Sequence, residues 1–205
     1  IWTVFNCCSK KILKSLSIIF PVFNESERLN ICFKEVVQFK KKNIFKKVQI
    51  IFVDDGSVDD SAEKIKNFII VNNNKKVEII LIQLKKNQGK GMALKKGIAK
   101  SKCQWILTAD IDMSVKITQI FEWIKKKYIY NENITYFGSR NHKLSKIKAK
   151  FHRIFLGNIF KILIFLLSNN KFKDTQCGFK LYNKKYAKSI FRNLISKGYA
   201  HDFEL

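Results

Sequence analysis

The sequence predicts an α/β domain with a doubly wound, mostly parallel sheet and helices on both faces, and three observations predict it. Short apolar runs of strand length alternate with longer segments of mixed polarity suited to helices. That alternation is the pattern of right-handed βαβ units. Three of the strand-like runs end in carboxylates or a Gly-Lys pair, and ligands of α/β sheets collect at the carboxyl ends of parallel strands.

Taken in order, residues 1 to 15 mix apolar and basic residues without a clear period and stay unassigned. Leu16 to Val22 reads as the first strand, and Pro21 followed by Asn24-Glu25-Ser26-Glu27 reads as a turn into a helix that runs to about Lys41. Glu25 would sit near that helix's N-terminus. Val48 to Val53 is a second buried strand, ending in Asp54-Asp55-Gly56-Ser57 before a helix that begins near Asp59. Val77 to Ile82 is a third, and it leads into Asn87-Gln88-Gly89-Lys90-Gly91 and a helix. Gly89 and Gly91 let backbone approach a ligand, Lys90 is placed to reach a phosphate, and the helix start offers unpaired N–H groups. The spacing matches neither a Walker loop nor a Gly-X-Gly-X-X-Gly fingerprint, so an ordinary loop-to-helix junction is the plain alternative.

The fourth strand, from Gln104, runs into Asp110-Ile111-Asp112. In an extended chain side chains alternate, so Asp110 and Asp112 would point one way and Ile111 back to the core. Two such carboxylates repel unless a cation sits between them, and hard oxygen ligands suit Mg²⁺ or Mn²⁺. The plain alternative is a solvated acidic turn. A helix from about Lys116 to Lys127 and a strand from Ile134 to Arg140 follow. A basic run, 141 to 150, then leads into an apolar segment, 151 to 168, in which Arg153, Asn158 and Lys161 recur on roughly one side. An amphipathic helix lying in a membrane interface is expected there, against a buried core helix as the alternative. Asp174 to Tyr182, a helix to about Ser196 and Gly198 to Leu205 complete the chain.

A length of 205 residues suffices for one domain with a real core, expected over residues 16–205. Ile1 in place of a starting Met, and Leu205 inside an ordered run, read as cut ends, with truncation expected at the C-terminus. The formal charge of +24 is carried almost wholly by lysine, with only Arg28, Arg140, Arg153 and Arg192 as arginines. Lysine, asparagine and isoleucine all abound, a bias that an AT-rich genome produces without selection for binding. The cysteines number five with no Cys-X-X-Cys pair and the three histidines are scattered, so neither a disulfide framework nor a structural zinc site is indicated. No apolar run reaches the roughly 18 to 20 residues of a membrane span, and no signal peptide precedes the first strand.

Phe20-Pro21-Val22-Phe23-Asn24-Glu25, Val53-Asp54-Asp55-Gly56-Ser57, Gly89-Lys90-Gly91, Ala109-Asp110-Ile111-Asp112, Gly138-Ser139-Arg140 and Asp174-Thr175-Gln176-Cys177-Gly178-Phe179-Lys180 stand in the order found in family 2 glycosyltransferases. With the Asp202-Phe203-Glu204-Leu205 ending, the set most closely resembles the polyprenyl-phosphate group, which includes dolichyl-phosphate glucosyltransferases and mannose synthases. The resemblance implies a GT-A fold, a nucleotide-sugar donor with UDP-glucose foremost, a polyprenyl phosphate acceptor, and Mg²⁺ or Mn²⁺. It implies that Pro21, Glu25, Asp54 and Asp55 line the nucleotide pocket, with Asp55 the one of its pair that holds base or ribose. Lys90 and Gly91 would serve the diphosphate, and Asp110 and Asp112 the metal. Arg140 would meet the acceptor phosphate and Asp174 would be the base. Met113 departs from relatives that carry a polar residue there, so water would fill a third ligand's place. The implied location is the cytosolic face of a membrane, the endoplasmic reticulum in a eukaryote or the inner membrane in a bacterium. A family 2 enzyme acting on a glycan hydroxyl is the alternative enzyme. A basic module binding RNA or anionic membrane is the alternative of another class, and strand ends that collect carboxylates speak against nucleic acid.

Overall fold

A computed structural model of the chain describes residues 14–42, 44–129, 131–138, 177–196, 198 and 201–204. The elements are β1 (Ser15–Val22), α1 (Leu29–Lys42), β2 (Lys47–Asp54), α2 (Ser61–Asn72), β3 (Val77–Gln83), α3 (Lys90–Lys100), β4 (Trp105–Thr108), α4 (Gln119–Lys125), β5 (Tyr136–Phe137), β6 (Lys180–Asn183), α5 (Lys184–Asn193) and α6 (His201–Glu204). The strands form one sheet in the order β3-β2-β1-β4-β6-β5. β1 to β4 are mutually parallel, while β6 runs antiparallel to both β4 and β5.

Side-chain alternation along the central strands builds a core on each face. Ile18, Phe20, Ile50 and Phe52 pack with Leu29, Val36 and Phe39 of α1, Ile65 of α2 and Ile120 of α4. Ile19, Ile51 and Val53 pack on the opposite face with Ala93, Leu94 and Ile98 of α3 and Ala187 and Phe191 of α5. Helices thus cover both faces. Because β1 and β2 are buried on both sides, they read in the sequence as nearly unbroken apolar runs.

The turn expected around residues 24–27 is present: Asn24, at φ +52°, turns the chain, residues 26–28 form a turn, and α1 begins at Leu29. Two strands differ from the sequence expectation. The expected strand ending at Arg140 is only Tyr136–Phe137 among the described residues. β6 appears where no strand was expected, because its Lys180 reads as a break in apolar pattern although the side chain is only 2% exposed. No helix among the described residues is long and apolar enough to cross a membrane. The segment expected to lie in a membrane interface, 141–168, falls outside the described residues.

Candidate active site

Strand order reverses at β1: β2 and β3 lie to one side and β4 to the other, so a crevice opens at the carboxyl ends of β1 and β4. Pro21 helps to open it. The register of β1 with β4 stops at Ile19 and Thr108, and Ala109 N–H donates to the Ile19 carbonyl at 3.1 Å. Two residues further on, Pro21 faces the same side, where β4 has already ended and no partner needs an N–H. A proline within a central strand is therefore tolerated here.

The loops after β1 and β2 are tied to one another. Asn24 N–H donates to Ser57 Oγ at 3.0 Å, Val58 N–H to Asn24 Oδ1 at 2.9 Å and Glu25 N–H to Ser61 Oγ at 3.0 Å. The Glu25 carboxylate itself pairs with Arg28 at 3.1 Å. Asp54 Oδ1 accepts from Ser57 N–H at 3.0 Å, closing the turn. Gly56 in that turn has φ +76°, and a Cβ there would stand 2.6 Å from the Lys86 carbonyl carbon, so only glycine lets the β2 and β3 loops approach. Asp55 bridges the same two loops: its Oδ1 accepts from Gln88 N–H at 2.8 Å and its Oδ2 from Gly89 N–H at 2.7 Å. The buried Asp55 thus shapes the backbone that leads into Lys90 and Gly91, the first turn of α3.

Lys90 Nζ lies 2.6 Å from Asp110 Oδ1, with both side chains partly accessible. β4 ends at Thr108 and residues 111–112 form a turn, with Met113 at φ +52° and its N–H 3.3 Å from the Asp110 carbonyl. The extended alternation expected of Asp110 and Asp112 is therefore replaced by a turn. Its cause is visible: buried Ile111 and Met113 pull the chain back to the core. Asp112 stands exposed at the turn, accepting from Ser114 N–H at 2.9 Å and from Ser114 Oγ at 2.8 Å.

The turn still fits a hard divalent ion. Two carboxylates project from one three-residue stretch, and the Lys90 ammonium already marks the Asp110 oxygen as a cation position. Asp110 and Asp112 would hold the ion, with Ser114 an adjacent oxygen. Met113 supplies no ligand, its side chain being buried. Among the described residues no group of three or more His, Cys, Asp or Glu forms a ready-made cluster. Arg140 and Asp174 lie outside the described residues.

The opposite wall comes from the segment that leads through β6, and from α6. Lys90, Leu94, Thr108, Ala109 and Asp110 face Gly178, Lys180, Tyr182 and Asp202 across a narrow cleft. Thr108 Oγ1 donates to the Gly178 carbonyl at 2.8 Å and holds the two walls together. Lys180 Nζ pairs with Asp202, and both are buried. Burial, and next the charge of Asp202, push the Tyr182 phenol above its ordinary value, so it stays protonated. Gly178, Lys180, Tyr182 and Asp202 received no role from sequence reasoning. The available signal was a lysine inside an apolar run, since a buried lysine requires a partner.

A family model described as glycosyl transferase family 2 matches residues 17–191. The chain is 35% identical over 201 residues to a dolichyl-phosphate beta-glucosyltransferase of Dictyostelium discoideum, covering 93% of this chain and 60% of the relative. It is 32% identical to the Homo sapiens protein of that name, covering 94% of this chain and 62% of the relative. The chain thus spans about 60% of the length of these curated relatives. Among solved structures it is similar to mannosyl-3-phosphoglycerate synthase from Rubrobacter xylanophilus, with a TM-score of 0.59 and 13% identity over 84% of this chain and 54% of that one. It is similar also to glucosyl-3-phosphoglycerate synthase from Mycobacterium tuberculosis in complex with UDP, with a TM-score of 0.58 and 14% identity over 98% of this chain and 67% of that one.

Proposed function

The chain belongs to glycosyl transferase family 2 and has the GT-A fold, and from that premise we propose that the full-length protein transfers glucose from UDP-glucose to dolichyl phosphate or a similar polyprenyl phosphate. The observation that carries the proposal is the cleft at the strand-order reversal, where Lys90 and Asp110 meet at 2.6 Å. The names of the relatives, which stand for glucose and dolichyl phosphate, support the choice of donor and acceptor.

In this reading residues 16–205 form the catalytic domain. Pro21, Glu25 and Asp54 line the nucleotide end of the crevice, and Asp55 acts through the loop it holds. Lys90 and the backbone at Gly91 meet the diphosphate, since an ammonium beside a helix start favours an anion. Asp110 and Asp112 hold Mg²⁺ or Mn²⁺, which when bound neutralises charge on a leaving diphosphate. Arg140 meets the acceptor phosphate. An oxygen of the lipid phosphate forms the new bond to the anomeric carbon while the bond from that carbon to the β-phosphate oxygen breaks, and UDP departs with the electron pair. Configuration inverts. A phosphate monoester has its second pKa near about 6, so the acceptor is already largely dianionic and loses no proton in the step. Asp174 then serves position more than proton transfer. Residues 141–168 dock on the cytosolic face of the membrane that carries the lipid, the endoplasmic reticulum in a eukaryote.

The test is transfer of labelled sugar into an organic-extractable, acid-labile product by the full-length protein, with UDP-glucose and GDP-mannose compared. Glucose transfer that Asp112→Asn reduces at least about a hundredfold is expected, the scale of a lost electrostatic stabiliser. Preference for GDP-mannose would move the protein to the mannose synthases. Label found only in water-soluble glycan would defeat the lipid acceptor.

A further inference from the structure

The end of the sheet opposite the cleft carries charge that the reading above does not use. β1 to β4 are parallel, so their starts share one edge, and the antiparallel β6 ends there. Each of these five strands brings lysine to that edge: Lys76 before β3, Lys46 and Lys47 at the start of β2, Lys14 before β1, Lys102 before β4 and Lys184 after β6. Contacts join them into one row. Val48 N–H donates to the Lys76 carbonyl at 3.1 Å and Lys46 N–H to the Lys14 carbonyl at 3.0 Å, while Lys184 Nζ donates to the Lys102 carbonyl at 3.2 Å. With neighbouring strands about 4.8 Å apart, the row is about 19 Å long.

Neither composition nor helix capping accounts for the row. An AT-rich bias supplies lysine everywhere but does not sort the acids, yet Asp54, Asp55, Asp59, Asp60, Asp110 and Asp112 all stand at the cleft end of the sheet. Glu78 and Glu132, which adjoin the row, are engaged, the first with Lys102 at 2.8 Å and the second with Gln104 Nε2 at 3.0 Å. Lysine suits the end of a helix, as at Lys40 to Lys42 of α1, but Lys184 and Lys185 open α5, where the helix dipole disfavours positive charge. Like charges gathered this way repel one another, and an anion from outside the chain relieves them.

Exposed apolar surface lies beside the row. Lys40 Nζ donates to the Asn72 carbonyl, which brings the end of α1 against the end of α2. There Ile70 is 79% exposed and Val71 81%, and Ile44, between α1 and β2, is 62% exposed. This mixture selects among anionic partners. Single-stranded nucleic acid is stacked on aromatic rings and on arginine, whereas the row is lysine and its apolar neighbours are aliphatic. A membrane is disfavoured by position: β1 is eight residues long, so the row stands about 26 Å from the cleft that a lipid phosphate has to reach.

We propose that the lysine row, with Ile44, Ile70 and Val71 beside it, is a docking surface that faces away from the membrane and binds an acidic segment of a partner protein, whose aliphatic side chains cover the exposed isoleucines and valine. Charge complementarity would steer that segment to the row, and the aliphatic contacts would hold it. The orientation rests on the lipid-acceptor reading.

The experiment is fluorescence anisotropy of the full-length protein with three labelled probes, a mixed glutamate and leucine peptide, polyglutamate and a single-stranded RNA, beside co-sedimentation with phosphatidylserine vesicles. The variants are Lys46→Glu with Lys47→Glu, Ile70→Ser with Val71→Ser and, as a control of equal charge change at exposed mid-helix positions, Lys34→Glu with Lys66→Glu. The mixed peptide is expected to bind tightest. Its affinity should fall at least about tenfold with the row pair, about fivefold with the aliphatic pair and less than about twofold with the control. All three variants should bind UDP with Mn²⁺ as the natural protein does, since none of these residues lines the cleft. Equal weakening by the row and control pairs would reduce the effect to net charge and overturn the proposal. Tighter binding of RNA, or vesicle binding that the row pair abolishes, would overturn it as well. UDP binding by the natural protein tests the nucleotide-sugar reading separately, so either can fail alone.

Discussion

Replacing Gly178 with alanine tests whether the cleft is built around the Asp110 carboxylate. The new Cβ would stand 2.2 Å from Asp110 Oδ2, 2.6 Å from its Cγ and 2.7 Å from Oδ1, all too close for real atoms. Two movements relieve the clash. Asp110 can swing away, which breaks its 2.6 Å pairing with Lys90 and takes its oxygens from the cation position. Alternatively the backbone at 178 can withdraw, which stretches the 2.8 Å bond from Thr108 Oγ1 and strains the neighbouring 2.8 Å bond from Gly138 N–H to the Phe179 carbonyl. Overpacking of this kind costs about 1–3 kcal/mol. If the fold bears it, a chain of this size loses roughly 2–4 °C of thermal midpoint per kcal/mol, about 2–12 °C in all. If Asp110 bears it, Mn²⁺-dependent binding of a nucleoside diphosphate weakens by about five- to 160-fold, at 1.36 kcal/mol per tenfold. Thermal unfolding followed by circular dichroism and calorimetric titration read the two separately. A variant that matches the natural protein in both would refute the packing of Gly178 against Asp110.

Asp55→Asn should lower the thermal midpoint by about 4–12 °C, because an amide nitrogen would face the backbone N–H of either Gln88 or Gly89, losing that bond, and the other bond would lose its charge. Unchanged melting would show that the loop before Lys90 holds itself. Raising the pH above about 9 should destabilise the protein. Burial, and next Glu35, push the Cys32 thiol above its ordinary 9.0, and burial with Asp202 pushes Tyr182 above its ordinary 10.0. The folded chain therefore keeps protons that the unfolded chain gives up, and stability falls as pH rises, by at most about 1.4 kcal/mol per pH unit for each group. Melting curves from pH 7 to 11 check it, and Tyr182→Phe should flatten the slope above about pH 10. A flat natural-protein profile would contradict both assignments.

The elements that sequence reasoning found are those whose signal is local. β1 and β2 are nearly unbroken apolar runs because each is paired on both sides and packed within the sheet, β3 is an apolar edge strand interrupted by Glu78, and the loops after all three carry turn chemistry at fixed places. β6 was missed because its signal is not local. A strand of Lys180-Leu181-Tyr182-Asn183 reads as broken until Asp202, 22 residues on, neutralises the lysine. Strand order was likewise invisible, since parallel and antiparallel partners of β4 leave the same apolar pattern in its four residues.

The site shows the same division at finer grain. Asp54, Asp55, Lys90, Gly91, Asp110 and Asp112 are legible as loop and strand-end residues, since each stands at or just beyond the carboxyl end of a strand or at the helix start that follows. Their individual duties depend on what tertiary structure brings to each oxygen. Asp55 reads as a nucleotide ligand in sequence, yet both its oxygens hold backbone amides 33 and 34 residues away. Asp110 and Asp112 read as one claw, yet one oxygen meets Lys90 and the other carboxylate closes a turn on Ser114. In each case a carboxylate finds a positive or N–H partner within the chain, a requirement for the buried Asp55 and a turn-closing contact for the exposed Asp112. Tyr182 is the exception that follows from this rule. A fold that satisfies every other buried polar side-chain atom among its described residues leaves one phenol without a partner in the chain, at the wall of its cleft.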